Sequence, residues 1–402
     1  MPHLQSLHGM LHDDALSSVC SSETKQETGV SGGGVVSDVA HSGGSGGAAR
    51  CDASTRVISS RRTLRTVDST MEECARALAA SPYPTVRQKV AHLFDDDSAF
   101  NGSALHDDSA LHGNHTADTT MLPVRKDQEA TDTHVPVMAA VSAEVQTHGT
   151  GRLNRQWVDR EGESLSVSYV VAMPKTVLET LGSGWLTAAI GIAAVDSLRE
   201  VVAAAQLPAL PALPALPELA LKWPNDLFFR GRKLGGILTR AIEADADTVA
   251  VIVGIGMNLG MEERDLPLPQ AISLRMVVEQ QRETHDAVTQ GLQHETLAKK
   301  DIFSDYETLR DMVIEKIAGE LAVWFRKASE EPQEVRSALH RRVVSLSATV
   351  GQRVTVHLVD GTTYSGTAVG IDFSAALLIQ CDDGERRRVT AGDVGIDVGG
   401  VR

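Results

Sequence analysis

The sequence predicts an α+β protein, a mixed sheet clad by helices and followed by a small β-barrel. Three observations lead there. Up to about residue 335, β-type apolar runs are interleaved with longer stretches of helical period. From about 345 the pattern becomes a series of short β segments with Asp-Gly turns at 360–361 and 383–384, as in an all-β unit. Low-complexity tracts lie before and between these parts, too poor in apolar residues to fold. The expected organisation is a disordered Gly/Ser-rich segment over 1–60, a main domain over 61–335 with insertions at about 94–134, 207–217 and 280–305, and a C-terminal β-barrel over 340–402.

Taken in order, structure is expected to begin near Arg65. Ser69 and Thr70 precede MEECARALAA, and their Ser/Thr-x-x-Glu spacing to Glu72 and Glu73 predicts a capped helix. The 94–134 tract repeats DDSAFNG as DDSALHG; its Asp and His would suit a metal, but its drifting composition reads as a disordered insertion. VPVMAAVSAEVQ (135–146) is a strand, THGTGRLNRQW a Gly-rich loop, and SLSVSYVVAM (164–173) a second, alternating strand. GWLTAAIGIAAVDSLREVVAAAQ (184–206) has helical period without an interior Pro and reads as a buried helix. Three Pro-Ala-Leu copies then make a stiff connector of polyproline type. LKWPNDLFFRGRKLGGILTR (221–240) reads as a β-hairpin turning at Asn225 and Asp226. TVAVIVGIGMNLG (248–260) is a continuous apolar strand closing in a Gly-rich turn, and DMVIEKIAGELAVWFRKA (311–328) a further amphipathic helix.

Composition narrows the function. A net charge of −15 argues against non-specific binding to nucleic acid or to an anionic membrane. The longest apolar run, 185–195, is too short to span a bilayer, and the N-terminus lacks an apolar signal core. Cys20, Cys51, Cys74 and Cys381 show no CxxC or Cys/His spacing, which suits reduced thiols in a cytoplasmic protein.

Several motifs carry chemistry, each with a bland reading beside it. Gly149 and Gly151 with Arg152 and Arg155 would let a ligand approach backbone and present guanidinium groups to phosphate or carboxylate; alone, such a loop is more often plain surface. GIGMN (254–258) is alone a tight turn and not a dinucleotide fingerprint. In KWPND, Pro224 ends or bulges a strand, and Asn225 and Asp226 would make an Asx-type turn. Gly235 and Gly236 weaken the return strand unless something must come close there.

In this order and with these flanks, Ser69–Thr70, the 146–157 loop, KWPND, Lys233-Leu-Gly-Gly-Ile-Leu and GIGMN resemble the biotin protein ligases, or holocarboxylase synthetases, over residues 65–93, 135–280 and 306–400. The resemblance implies a class II synthetase-like catalytic domain of the biotin/lipoate ligase type and an SH3-like C-terminal barrel. It implies joining of biotin to ATP as biotinyl-5′-adenylate, then transfer to a lysine of a carboxylase biotin carrier domain. Ser69, Thr70, Met71, Gln146, Thr150, Gly151, Arg152, Trp157, Lys233, Gly236, Gly254 and Gly256 would hold biotin, with the glycines offering bare backbone to a flat bicycle and Trp157 covering its tail. Arg152, Arg155, Asn225 and Asn258 would hold ATP. Lys233 and Arg152 would stabilise charge as carboxylate meets phosphate, and Asp226 would accept a proton from or orient the acceptor lysine. Mg²⁺ is expected on the phosphates, with no protein ligand assigned.

Thr150 stands where many relatives have Arg, and Asn154 where Gly is frequent, which weakens the loop's expected grip on the adenylate. No helix-turn-helix motif precedes the catalytic region, so no nucleic-acid partner is expected; the resemblance admits a homodimer. Two alternatives stand against this reading. A lipoate or octanoate ligase or transferase of the same fold is disfavoured by the loop and by KWPND. A non-enzymatic biotin-binding protein is disfavoured by Lys233 and Arg152.

Overall fold

Apolar residues on both faces of consecutive strands demand cover on both sides, and the computed structural model supplies it for the residues it describes, 57–95, 136–205, 218–288 and 302–396. Residues 1–56 of the expected 1–60 disordered segment, the Pro-Ala-Leu connector, most of the 94–134 insertion, Cys20 and Cys51 lie outside these residues, whereas 58–60 belong to a strand.

Seven strands form the main sheet, in the order β1 (Ile58–Val67), β2 (Val137–Gln146), β3 (Ser164–Pro174), β7 (Thr248–Asn258), β6 (Arg232–Ala244), β5 (Asp226–Phe229) and β4 (Leu219–Lys222). β1 and β2 are parallel and every other pair is antiparallel, so the sheet is mixed. Side chains alternate between the two covers. Ala139, Val141, Val170 and Ile252 meet Cys74 and Leu78 of helix α1 (Thr70–Ala80) and Val86 and Val90 of α2 (Val86–Ala91). Their neighbours Met138, Ala140, Tyr169 and Val253 lie in the larger core under α3 (Lys175–Ala205), α5 (Tyr306–Glu330) and α6 (Pro332–Leu346). Tyr169, fully buried there, donates its hydroxyl to the carbonyl of Ile314 at 2.9 Å. Helix α4 (Leu274–Val288) adds Leu274, Val277 and Val278 to the same core.

A second sheet, all antiparallel, has the order β11 (Arg386–Val389), β10 (Leu377–Cys381), β9 (Thr363–Ile371), β8 (Arg353–His357) and β12 (Asp393–Ile396). The Asp-Gly turns fall where expected, with Gly361 and Gly384 at φ of 86° and 87°, a conformation open to Gly at no steric cost. Its core residues Val354, Leu377 and Ile379 are continuous with the main core.

Several expectations need correction. Among the described residues the first strand starts at Ile58, ahead of the expected start near Arg65, because the Arg-rich β1 pairs in parallel with β2 although its own pattern is polar. Ser69 is the N-cap of α1, but its side chain makes no capping bond; its N–H donates to Asp68 Oδ1 at 2.8 Å. The buried helix starts at Lys175 and kinks at Gly182, φ 63°. The 280–305 insertion is helical to residue 288, continuing α4 past its buried apolar residues Leu274, Met276, Val277 and Val278; residues 289–301 lie outside those described. The 221–240 hairpin is a three-strand meander. Its second turn, Arg230–Gly231 with φ of 45° and 83°, is a two-residue left-handed loop, so Asp226 opens a strand instead of sitting in a turn. GIGMN is likewise strand and not turn, pairing with β3 on one side and β6 on the other.

Candidate functional site

Between the main sheet and the free edge of β12 lies a cavity of about 1080 Å³, and all sixteen residues nominated from the sequence line it. They come from the start of α1, the loop after β2, the β4–β6 meander and the end of β7. The cavity has two chemically different ends.

One end is neutral and hydrogen-bonded. Gln146 closes β2, and its Oε1 accepts from Thr70 N at 2.8 Å and Thr70 Oγ1 at 3.1 Å. The Thr70 hydroxyl also meets that of Ser168 at 2.8 Å. Gln146 Nε2 donates to Ser166 Oγ at 3.0 Å and to Asp159 Oδ2 at 3.1 Å. Ser69, Thr70 and Met71 are all buried. The glycines of β7 do not offer open backbone, which corrects the reason given for them. A Cβ on Gly256 would sit 2.5 Å from the Trp157 indole, and one on Gly254 would sit 2.7 Å from the Met71 sulfur. Those faces are already covered by side chains the glycines admit.

The other end is charged. Lys233, fixed through its backbone to Gln270 and Ile272, places Nζ 2.7 Å from Asp226 Oδ1. Gly236 leaves room for the pair; its Cβ would come within 3.3 Å of Lys233 Nζ. Lys222 Nζ lies 3.8 Å from the second Asp226 oxygen. Burial pulls the Lys222 pKa down, against the attraction of Asp226 and Asp393, and Lys233 and Arg155 lower it further. Asn225 is a brace: its Nδ2 donates to Ile237 O at 2.7 Å, its O accepts from Ile237 N at 3.0 Å, and its Oδ1 accepts from Arg152 at 3.2 Å. Asn258, 2% exposed, donates to Ile272 O at 3.1 Å and turns its buried Oδ1 to no protein partner among the described residues.

Both arginines of the loop reach the second sheet. Arg152 donates to Gly392 O at 3.1 Å, and Arg155 pairs with Asp393. Burial raises the Asp393 pKa, but the Arg155 hydrogen bond and the charges of Arg155, Lys222 and Arg152 outweigh it and hold the carboxyl below its ordinary range. Burial lowers the Arg152 pKa, with Asp226 and Asp393 opposing. Leu153 and Asn154 between them have φ of 56° and 55°. Asn tolerates that conformation well, which accounts for Asn154 where a Gly would serve.

Residues 119–258 match the Biotin/lipoate A/B protein ligase family, and residues 349–395 match the Biotin protein ligase C terminal domain. The chain belongs to the biotin protein ligase family. It is 26% identical over 268 residues to the bifunctional ligase/repressor BirA of Bacillus spizizenii, covering 65% of this chain and 68% of that one. It is 28% identical over 252 residues to the biotin–[acetyl-CoA-carboxylase] ligase of Mycobacterium tuberculosis, covering 63% of this chain and 76% of the relative. A solved biotin protein ligase from Aquifex aeolicus in complex with biotin and ATP is 19% identical, with a TM-score of 0.47 over 84% of this chain and 97% of that one.

Sequence reasoning missed Asp159, Ser166 and Asp393, and left Lys222 as structural support. Asp159 follows Trp157 by two residues and is separable from a surface Asp only through its contacts. Asp393 lies more than 200 residues from the loop it meets, beyond the reach of any local signal.

Proposed function

We propose that the protein is an ATP-dependent biotin protein ligase that forms biotinyl-5′-adenylate and passes the biotinyl group to a lysine of a carboxylase biotin carrier domain. One observation carries the reading: a neutral, hydrogen-bonded floor and a cluster of three cations, Lys222, Lys233 and Arg152, share one cavity. A cyclic urea with an apolar tail and a carboxylate suits the first end; a triphosphate suits the second.

In the first step the biotin carboxylate attacks the α-phosphorus and pyrophosphate leaves. Two anions must meet, so Lys233 and Arg152 are assigned to the charge that builds up between them. Lys233 exchanges its Asp226 partner for the reacting oxygens. Arg155 and Asn258 are assigned to the nucleotide, Arg155 on leaving Asp393, and Asn225 to bracing Arg152. In the second step a lysine amine attacks the acyl carbon and AMP leaves. Free lysine has a pKa of about 10.4, so its proton must be taken up. Asp226, released from Lys233, is assigned that task.

Among the described residues no cluster of three or more His, Cys, Asp or Glu could hold a metal, and the cavity's Asp226 and Asp393 are engaged by cations. Mg²⁺ is therefore assigned to the phosphate oxygens of ATP alone, where it would neutralise their charge.

The test is incubation with biotin, Mg-ATP and an apo carrier domain. An ATP-dependent, streptavidin-reactive carrier is expected. Transfer of lipoate or octanoate instead, or tight biotin binding without turnover, would overturn the reading.

A further inference from the structure

Asp159 plays no part in the motifs that place this chain in its family, yet its carboxylate accepts four hydrogen bonds beside the neutral end of the cavity. Oδ2 accepts from Gln146 N at 2.9 Å and from Gln146 Nε2 at 3.1 Å. Oδ1 accepts from Trp157 Nε1 at 2.7 Å and from Ser166 Oγ at 2.6 Å. An ionised carboxylate has about four acceptor sites and no donor, so the group is saturated.

Saturation fixes two cavity-lining side chains. A carboxylate can only accept, so the Gln146 amide must turn its NH₂ towards Asp159 and Ser166 and its oxygen towards Thr70. The indole of Trp157 is pulled by its one donor so that the ring lies on Gly256, where even a methyl group would not fit. Gly149 is needed for the same packing, since its Cβ would meet Trp157 O at 2.7 Å and Gln146 Nε2 at 3.1 Å. Asp159 itself does not line the cavity.

We infer that Asp159 is the positioning residue of the ligand floor: it sets the face of the Gln146 amide and the rotation of the Trp157 ring, and through them the affinity for a ligand with a neutral, planar, polar head. With the cavity taken as the biotin site, as proposed above, that head is the cyclic urea. Asp159→Asn keeps the shape but places NH₂ against donors on one side, so either Gln146 turns round or Trp157 and Ser166 lose their acceptor.

The test is pyrophosphate release by the full chain, measured against biotin and against ATP, with the indole ¹⁵N–H spectrum recorded beside it. Asp159→Asn should raise KM for biotin about tenfold or more, with KM for ATP within about twofold and kcat within about threefold. The Trp157 indole resonance, identified by its loss in Trp157→Phe, should move in Asp159→Asn. Ser166→Ala removes a single bond to the carboxylate and should raise KM for biotin by about two- to fivefold, which decides the matter should the first variant fail to fold. An unchanged KM for biotin, or equal losses against both substrates, would overturn the proposal. If the wild-type chain releases no pyrophosphate with biotin, it is the biotin reading that fails. The indole signal then decides the positioning role, a shift supporting it and a fixed resonance ending it.

Discussion

The two ends of the cavity are built on different principles. The neutral end is assembled within one sheet and the helix on it, from hydroxyls, one amide and one indole whose bonds close on each other and on Asp159. The charged end is assembled from two sheets, and two of the three cations assigned to substrate are paired with carboxylates, Lys233 with Asp226 and Arg155 with Asp393, while Arg152 donates to Asn225 and Gly392. A neutral group is recognised by preformed geometry, which tolerates little displacement. Anions can be received by exchange, because a carboxylate partner marks the place where a phosphate or carboxylate oxygen would go.

Experiments can break this contrast. The largest effect is expected for Lys233→Ala. Loss of a group that acts where charge develops should slow pyrophosphate release by about 10² to 10³. Adenylate formation at a near-normal rate in that variant would remove Lys233 from the chemistry. Next comes Gly256→Ala. Its new methyl falls 2.5 Å from the Trp157 ring, and overpacking of this kind costs about 1–3 kcal/mol. KM for biotin should therefore rise by about 10- to 100-fold with ATP affinity spared; equal weakening of both substrates would mean that the ends are not independent. The smallest effect belongs to Asp393→Asn, because a surface ion pair is worth only about 0.2–1 kcal/mol. Its sign is defined. The Asp393 pKa is lowered in the fold, so its stabilisation is present above the unfolded value of about 3.9 and is lost as pH falls through the folded one. Acid denaturation of Asp393→Asn should be shallower over that window. An identical acid limb in both proteins would show that the pair carries no stability.

The sequence disclosed the parts that obey local rules. The central strands are continuous apolar runs, the Asp-Gly turns lie at their positions, and the lining residues were recognisable because they sit in motifs of fixed spacing. What it concealed was decided by partners distant in the chain. β1 carries Arg61, Arg62 and Arg65 and looks like no strand until β2 is beside it in parallel. The expected turn is present at 223–225 and includes Asn225, but Asp226 opens β5, and a further turn at Arg230–Gly231 was not foreseen. The roles of Gly254 and Gly256 were misread for the same reason: a glycine announces a close approach without saying what approaches, and here it is Met71 and Trp157.

Trp223, the second residue of KWPND, donates its indole N–H to Ala375 O at 3.0 Å, and Trp185 of α3 donates to Phe373 O at 2.8 Å. The backbone of Trp223 also donates to Thr349 Oγ1 at 2.9 Å. The motif that carries Asn225 and Asp226 is thus also the hinge pin of the second sheet. Neither sheet can loosen without exposing core that belongs to the other, so on heating both should melt together as one cooperative unit.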